Sequence, residues 1–465
     1  MERAISSSWS LLTVPERTML ARLSVFSGGF RMAAVIDVCT SEALAKESAV
    51  EQIVALVRKS LVSRHDLAAS PLTARYSLLE TVRAFAAERL TQSGETAAVG
   101  RRHAVWAAGT LETIADLLMS RDEPAGLELR DAETPNILRG YDWAITRGDV
   151  DLAMRYAAAT SRTGVHSQLA PLICDTIRDG RLAQLPGALD HPLAPCMWAV
   201  IAICRDSTDY SLSLDACRRA DVDGAPLKAR AAARQWMAGY ARLLGSAEEQ
   251  NEQISRLRQL AILAPDDHSL AATVAFNDAL LATDAAEAER HHERARACAV
   301  RSGVPSVVAL SLIISAFQCL RKGDLAGARN WADRAEPIVE AMRNHRMSIT
   351  WRALLTAVRP TEEAMRVQVQ RLRSVSELDQ LDYGRVDLVR VSAQLLAAAH
   401  RTDAATVLQK AHASLSKGLP PVKIPFAMAA PGSVDATEHG AGADMSIAEA
   451  IAFATAELEE ALGAP

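Results

Sequence analysis

His291-His292 is the one adjacent histidine pair in the chain, and it stands among Glu287, Glu289, Arg290 and Glu293, donors that could hold a zinc ion if geometry allowed. On a helix it does not. Adjacent side chains project about 100° apart, whereas a metal wants ligands one turn apart. This segment is therefore expected to be a solvated helix face. Seven cysteines, Cys39, Cys174, Cys196, Cys204, Cys217, Cys298 and Cys319, are scattered with no Cys-x-x-Cys pair. Neither a zinc knuckle nor a disulfide framework is suggested, and they read as reduced, mostly buried thiols. No Gly-x-Ser-x-Gly elbow or His-Glu-x-x-His run occurs, so no catalytic constellation and no metal site is expected. A Gly-x-x-x-x-Gly-Lys-Ser/Thr stretch is also missing. Without it there is no glycine loop to cradle a triphosphate and no lysine to reach its outer phosphates.

The remaining chemistry is that of basic groups and anions. Arg101-Arg102-His103 is the densest basic spot near a domain junction. It could meet a phosphate, or it could be a solvated helix start whose arginines pair with Glu95 or Glu112. Arg58, Lys59 and Arg64 are the cations that would contact DNA if the N-terminal region reads a duplex. Trp143, Trp331 and Trp351 are expected in the core, since large aromatics dominate packing energies.

The elements that would position these groups begin with a helix over Pro15 to Leu23, where proline suits the first turn and Met19, Leu20 and Leu23 make an apolar face. It should pack under Trp9 and Leu12. Gly28-Gly29 ends it, a second helix covers Ala33 to Cys39, and a third runs from about Glu47 to Lys59 with Val50, Ile53, Val54 and Val57 on its buried face. Leu61 to Arg64 and Arg75 to Leu78 read as two short strands around a turn-rich wing, Asp66 to Thr73. Three helices and a hairpin make a winged helix. The third helix would be the reader of a major groove, but its polar face places Glu47 and Glu51 at the leading end and Arg58 and Lys59 at the far end. Residues 1–95 hold 11 Lys and Arg against 10 Asp and Glu, a poor balance for holding a duplex.

Ser8-Trp9, Arg22 to Phe30, Lys59-Ser60-Leu61-Val62, Arg75 to Leu90, Arg101-Arg102-His103 and Glu133-Thr134-Pro135-Asn136-Ile137-Leu138-Arg139, followed by Asp142-Trp143-Ala144-Ile145 and Gly148-Asp149, resemble the winged-helix region and first repeat that follow the nucleotide-binding (NB-ARC, STAND-class) ATPase module in bacterial transcriptional regulators of the LuxR and AfsR type. The ATPase module itself and the C-terminal LuxR helix-turn-helix are not found in this sequence. Met445 to Ala454 looks like the segment just before the latter. The resemblance implies a winged helix that packs on a nucleotide-binding module through residues such as Tyr76, Glu80, Arg83, Arg101 and Arg102. It places Tyr76 where the family often has a histidine that senses the nucleotide. A phenol can donate one hydrogen bond but carries no positive charge toward a phosphate. The alternative for Tyr76 is a strand tyrosine packed against the third helix. ATP or ADP would enter only through an upstream module.

Beyond Ser93-Gly94-Glu95, a helix stop, alanine-rich amphipathic segments alternate with sparse turns near Gly148-Asp149, Asp206, Gly245, Asp284, Gly323-Asp324, Thr361 and Thr402. From Asp206 the steps are 39, 39, 39, 38 and 41 residues, the length of a helical hairpin with its loops. Gly148-Asp149-x-x-x-Ala153-x-x-x-Ala157 and Gly323-Asp324-x-x-x-Ala328-x-x-x-Ala332 share small residues that let helices approach closely. Lys417 to Pro421 closes the array, Ala429 to Asp444 reads as a flexible linker, and Ile447 to Leu462 as a final helix with an acidic end. The expected organisation is a mainly α protein: a winged helix over 1–95, a tetratricopeptide-like α-solenoid of helical hairpins over 96–420, and a linker with a C-terminal helix over 421–465.

Composition agrees. Aromatics are 4% of the 465 residues and the net charge is −5, which favours packed helices and disfavours general nucleic-acid binding. Met1-Glu2-Arg3 leads into a serine run with no apolar h-region, so the cytoplasm is expected. The longest uncharged run, Ser302 to Leu320, contains Pro305 and several serines and is expected to be a buried repeat helix with no membrane role. The function expected is a regulator without enzymatic activity that binds a protein partner through its repeats. The rival is a stand-alone winged-helix DNA-binding regulator whose array senses a ligand.

Overall fold

The computed structural model describes residues 2–42, 44–65, 74–162, 180–204, 210–243, 246–322, 324–342, 351, 354–355, 358, 362–374, 389, 391–393, 395–397, 399–416 and 444–463. It is mainly α-helical and forms two compact units, 1–205 with 215–233, and 206–214 with 234–465. The expected wing (66–73), the turns at Asp206, Gly245, Gly323 and Thr361, and most of the linker lie outside the described residues.

The first unit opens with α1 (Glu2–Ser10) and α2 (Val14–Leu23). Thr13 caps α2 in a reciprocal box with Glu16, and Pro15 occupies its first turn, so orphan amides are satisfied where the chain turns. The short β1 (Phe30–Arg31), α3 (Met32–Cys39) and α4 (Ala49–Arg58) follow. Then come β2 (Ser63–Arg64), β3 (Arg75–Ser77) and α5 (Glu80–Gln92). The sheet is antiparallel in the order β1-β3-β2, with Phe30 opposite Tyr76, and Arg64 opposite Tyr76 on the other side. This is a winged helix.

Three details differ from the sequence expectation. The serine run forms α1, whose Trp9 meets the Phe85 ring edge-on at 5.6 Å. Phe30 starts a third strand. On α4 the fully buried residues are Ala49, Ile53 and Leu56, while Val50 and Val57 only flank the core, so the buried stripe is displaced from the expected one.

Long helices α6 (Thr96–Leu118), α7 (Glu123–Arg147) and α8 (Val150–Arg162) come next. Gly148 in the left-handed region turns α7 into α8, and Ala153 and Ala157 are fully buried, as the small-residue pattern required. The hydrophobic core of the winged helix does not stop at residue 95; it includes Val99, and Trp106 packs against it. Further helices in this part of the chain are α9 (Ala194–Cys204), α10 (Tyr210–Ala220) and α11 (Leu227–Leu243).

The second unit is built of α12 (Ala247–Leu263), α13 (His268–Leu281), α14 (Ala285–Ser302), α15 (Pro305–Arg321) and α16 (Leu325–Met342). Each packs chiefly on its chain neighbours, α13 on α14 and α15 on α16 most extensively, the contact pattern of helical-hairpin repeats. Ala328 and Ala332 are fully buried. Later helices are α17 (Glu362–Ser374), α18 (Thr402–Ser416) and α19 (Ile447–Ala461). The uncharged run is α15, with Val307, Ile313 and Ile314 buried, and no described helix is long and apolar enough to cross a membrane.

Candidate functional site

The polar chemistry of the first unit concentrates where the winged helix meets α6 and α7. Gly28 and Gly29 have φ of +76° and +102°, a conformation that L side chains rarely adopt. A Cβ on Gly28 would lie 2.8 Å from the Pro135 ring of α7, and one on Gly29 would lie 2.7 Å from the Tyr76 carbonyl oxygen. The pair is thus where the sheet presses on α7.

Asn136 forms the hub of this contact and is fully buried. Its Oδ1 accepts from the Ser27 amide at 2.7 Å and faces His103 Nε2 at 3.3 Å; its Nδ2 donates to the Gly29 carbonyl at 2.9 Å and to Glu133 Oε2 at 2.7 Å. Both halves of the amide are satisfied, as burial demands. Glu133, 4% exposed, is held in turn by Arg75 Nη1 at 2.6 Å. Arg75 Nη2 also donates to the carbonyls of Ala132 at 2.6 Å and Gly28 at 3.2 Å.

His103 is stacked edge-on to Phe26 at 5.3 Å. Burial pushes its pKa down to about 4, opposed by the Asn136 hydrogen bond and reinforced by Arg139. Between the unfolded value near 6.5 and about 4, the unfolded chain holds a proton that the folded one lacks. The His103 contribution to stability is therefore complete above pH 6.5 and falls by about 1.4 kcal/mol per unit as pH drops toward 4. His103→Gln should remove that slope. Between pH 7.5 and 5.0 the wild type is expected to lose about 2 kcal/mol more than the variant, measured as the opening free energy of α6 amides by hydrogen exchange; equal losses would refute the assignment.

A second cluster surrounds Arg22, which is 2% exposed. Its guanidinium donates to Glu95 at 2.9 and 2.5 Å, to the Cys39 carbonyl at 2.8 Å and to Ser41 Oγ at 2.9 Å. Arg102 turns into the same region, its Nε donating to the Val38 carbonyl at 2.7 Å. The Cys39 thiol, fully buried, is pushed up to about 12, which makes it inert as a nucleophile.

The residues singled out in the sequence are dispersed. Tyr76 is 1% exposed and stacked on Phe30 at 6.2 Å. The ring belongs to the core and is not presented on a surface; across the sheet Tyr76 lies between Phe30 of β1 and Arg64 of β2, and Ile53 and Leu56 of the third helix, α4, share that core. Glu80 and Arg83 do lie at the start of α5, paired with each other near the surface; the Arg83 hydrogen bond holds the Glu80 carboxyl below its ordinary value. Arg101 is exposed and 3.8 Å from Asp149. The expected partners of the basic run are taken by others: Glu95 by Arg22, and Glu112 by Arg155 at 2.9 Å.

Of the cations in the DNA alternative, Arg58 is exposed at the end of α4. Lys59 is bound by both oxygens of Glu16 at 2.7 Å, and Arg64 sits half-buried on β2 opposite Tyr76. Glu47 and Glu51 are exposed at the leading end. The histidine pair of the second unit is split, correcting the expected solvated face: His292 is buried, while His291 lies 3.8 Å from Asp278 and 3.9 Å from Glu287. Among the described residues no three metal-binding side chains converge. Trp351 is buried, and Trp331, partly buried, has Arg334 and Arg296 over its ring at 4.4 and 5.1 Å. Trp143 is also partly buried, so close to Gly100 that a Cβ there would lie 2.5 Å from the indole nitrogen.

Residue types alone do not announce the Arg75–Glu133–Asn136 network. Its one sequence signal is the Glu133-Thr134-Pro135-Asn136 motif, because the partners are 58 and 109 residues apart.

Residues 12–91 match a winged helix-turn-helix domain family. Over 162 residues the chain is 35% identical to proteins provisionally named HTH-type transcriptional regulators, one from Mycobacterium bovis and two from strains of Mycobacterium tuberculosis. The match covers 34% of this chain and 18% of those proteins, so the chain spans under a fifth of the curated relatives it matches. A similar solved structure is a STAND protein with a tetratricopeptide repeat sensor from Pyrococcus horikoshii, at 14% identity and a TM-score of 0.49, covering 98% of this chain and 61% of that one.

Proposed function

We propose that this chain is the regulatory and protein-docking part of a LuxR/NB-ARC-type transcriptional regulator, without enzymatic activity of its own, working in the cytoplasm through its helical repeats. The observation that carries this reading is the buried network joining the winged helix to α7. It ties a domain type common in regulators to the first helical hairpin, a union suited to passing on binding events. The motif that carries the family resemblance supplies Glu133 and Asn136. On this reading Glu80, Arg83 and Arg101 remain the surface candidates for contact with a nucleotide-binding module, ATP or ADP belonging to that module.

In-cell crosslinking of the tagged full chain with mass spectrometry tests this. Crosslinks from the repeats to a specific protein are expected, and sequence-specific DNA recovery without a protein partner would overturn the reading.

One observation favours the DNA alternative, namely the match of residues 12–91 to a winged helix-turn-helix. Lys59 is a poor probe because its loss would unpair buried Glu16. Arg58→Glu with Arg64→Glu tests it instead. Duplex binding by the wild type is expected to be absent or sequence-independent at low salt; selection of one sequence, lost in the double variant, would establish the alternative.

A further inference from the structure

A cleft in the second unit lies outside the network that joins the winged helix to α7. Ile254, Leu257 and Leu260 turn one stripe of α12 into the core. Arg258 and Ala261, each one position further on, are rotated about 100° away from that stripe. With Ile262 they face a space that α13 does not fill, since α12 and α13 pack less extensively than α13 and α14. The cleft measures about 370 Å³, the size of a small-ligand site.

Ala261 and Ile262 of α12 and Val274 of α13 supply apolar walls, and Arg258, Asp278 and Arg294 are the charged groups of the lining. Ile262 is 75% exposed, a large apolar side chain that gains from being covered. Asp278 is 5% exposed and accepts from Arg258 Nε at 2.8 Å, so these two charges offset one another. Arg294, on α14, is exposed and forms no ion pair with any described residue. Two guanidiniums thus line the cleft against one carboxylate, and the uncompensated charge stands beside apolar walls.

We infer that this cleft binds a small monocarboxylate with an apolar body, of the arylalkanoic acid type. The carboxylate accepts from the guanidinium fork of Arg294, and the body covers Ile262 and Val274. A neutral molecule of the same shape leaves Arg294 unmatched, and a second carboxylate on the ligand would bring like charge toward Asp278. The site takes a small molecule and no protein, so it stands apart from the proposed docking of a partner.

The test uses the full chain, 3-phenylpropionate as probe and neutral 3-phenylpropanol as control, titrated by saturation-transfer NMR. One site of about 0.1–1 mM is expected for an acid of about eleven heavy atoms, with the alcohol about 5-fold weaker. Arg294→Gln should weaken the acid about 5-fold and leave the alcohol unchanged, a pattern that a merely structural role for Arg294 would not give. Ala261→Phe, at a partly buried position, fills the cleft and should abolish binding of both. If circular dichroism shows that this variant loses helicity, Ile262→Asp replaces it: the position is exposed, and the new carboxylate pairs with Arg294 and repels the acid. Arg258 is left in place because its loss would strand Asp278 buried without a countercharge.

Equal affinity for acid and alcohol overturns the inference, as does equal affinity of the wild type and Arg294→Gln for the acid. Acid binding that survives in a folded Ala261→Phe chain overturns it by placing the site elsewhere. So does the absence of a saturable signal up to about 10 mM acid. None of these results bears on crosslinking of the repeats to a protein.

Discussion

Arg75→Met is expected to lower the stability of the first unit by about 3 kcal/mol, because it leaves the Glu133 carboxylate buried beside Asn136 with its countercharge gone. Glu133 is 4% exposed and cannot turn to water, whereas Arg75 is 21% exposed. The asymmetry makes a second, sharper expectation. Glu133→Gln should cost less than Arg75→Met, since an amide can still accept from Asn136 and Arg75 can reach solvent. Adding Glu133→Gln to Arg75→Met should recover most of the loss, as replacing both members of a buried pair is often nearly neutral. Hydrogen exchange is the proper readout, because a chain of two units need not unfold in one step. Protection of amides in residues 24–31 and 130–137 should fall by roughly 100-fold in Arg75→Met. Unchanged protection there would show that the ion pair does not hold the sheet to α7.

The other large effect is steric. A Cβ on Gly140 of α7 would lie 2.2 Å from Tyr156 Oη and 3.0 Å from the Ala107 Cβ. That hydroxyl donates to the Ala104 carbonyl at 2.7 Å in a fully buried position. Gly140→Ala must therefore break this hydrogen bond or spread α6, α7 and α8. Overpacking costs about 1–3 kcal/mol and an unsatisfied buried hydroxyl a similar amount, against about 1 kcal/mol gained in helix propensity. A net loss of about 3 kcal/mol is expected. Tyr156→Phe removes the clashing oxygen, so the double variant should be more stable than the sum of the single losses, with a coupling of at least about 1 kcal/mol in the opening free energies of α6 and α7 amides by hydrogen exchange. Strict additivity would mean that the helices accommodate the methyl by moving elsewhere.

Much of the fold follows from local rules. Pro15 in the first turn after Thr13, the glycine pair, and the strands next to Leu61 and at Arg75 are short-range signals, and the winged helix is legible from them. The buried alanines Ala153, Ala157, Ala328 and Ala332 likewise obey a spacing visible in the sequence. The elements that escape such rules do so for tertiary reasons. β1 has only two residues, too few for a period of two to register. α1 has a serine-rich sequence of weak helical preference, and it is fixed by Trp9 on Phe85 and by Arg17, which donates to the Trp9 carbonyl at 3.1 Å.

Charge pairing is the least legible layer. Arg101 and Arg102 stand close to Glu95 in the chain, yet the buried Arg22, far upstream, holds it. His103 looks like part of a basic surface run, but the helix turns it inward while Arg101 faces water. Side chains one position apart on a helix meet different surroundings, and which of them faces the core is decided by what packs there.

The interlocking of Pro135 and Asn136 with the Gly28-Gly29 turn has a mechanical consequence. α7 is 25 residues long, roughly 37 Å at 1.5 Å per residue, and it is pinned to the winged helix at a midpoint where no side chain can slide. Both halves of α7 thus share one point of attachment, next to the interior Pro135, and a shift of either end has to be accommodated where the Gly28-Gly29 turn meets that proline.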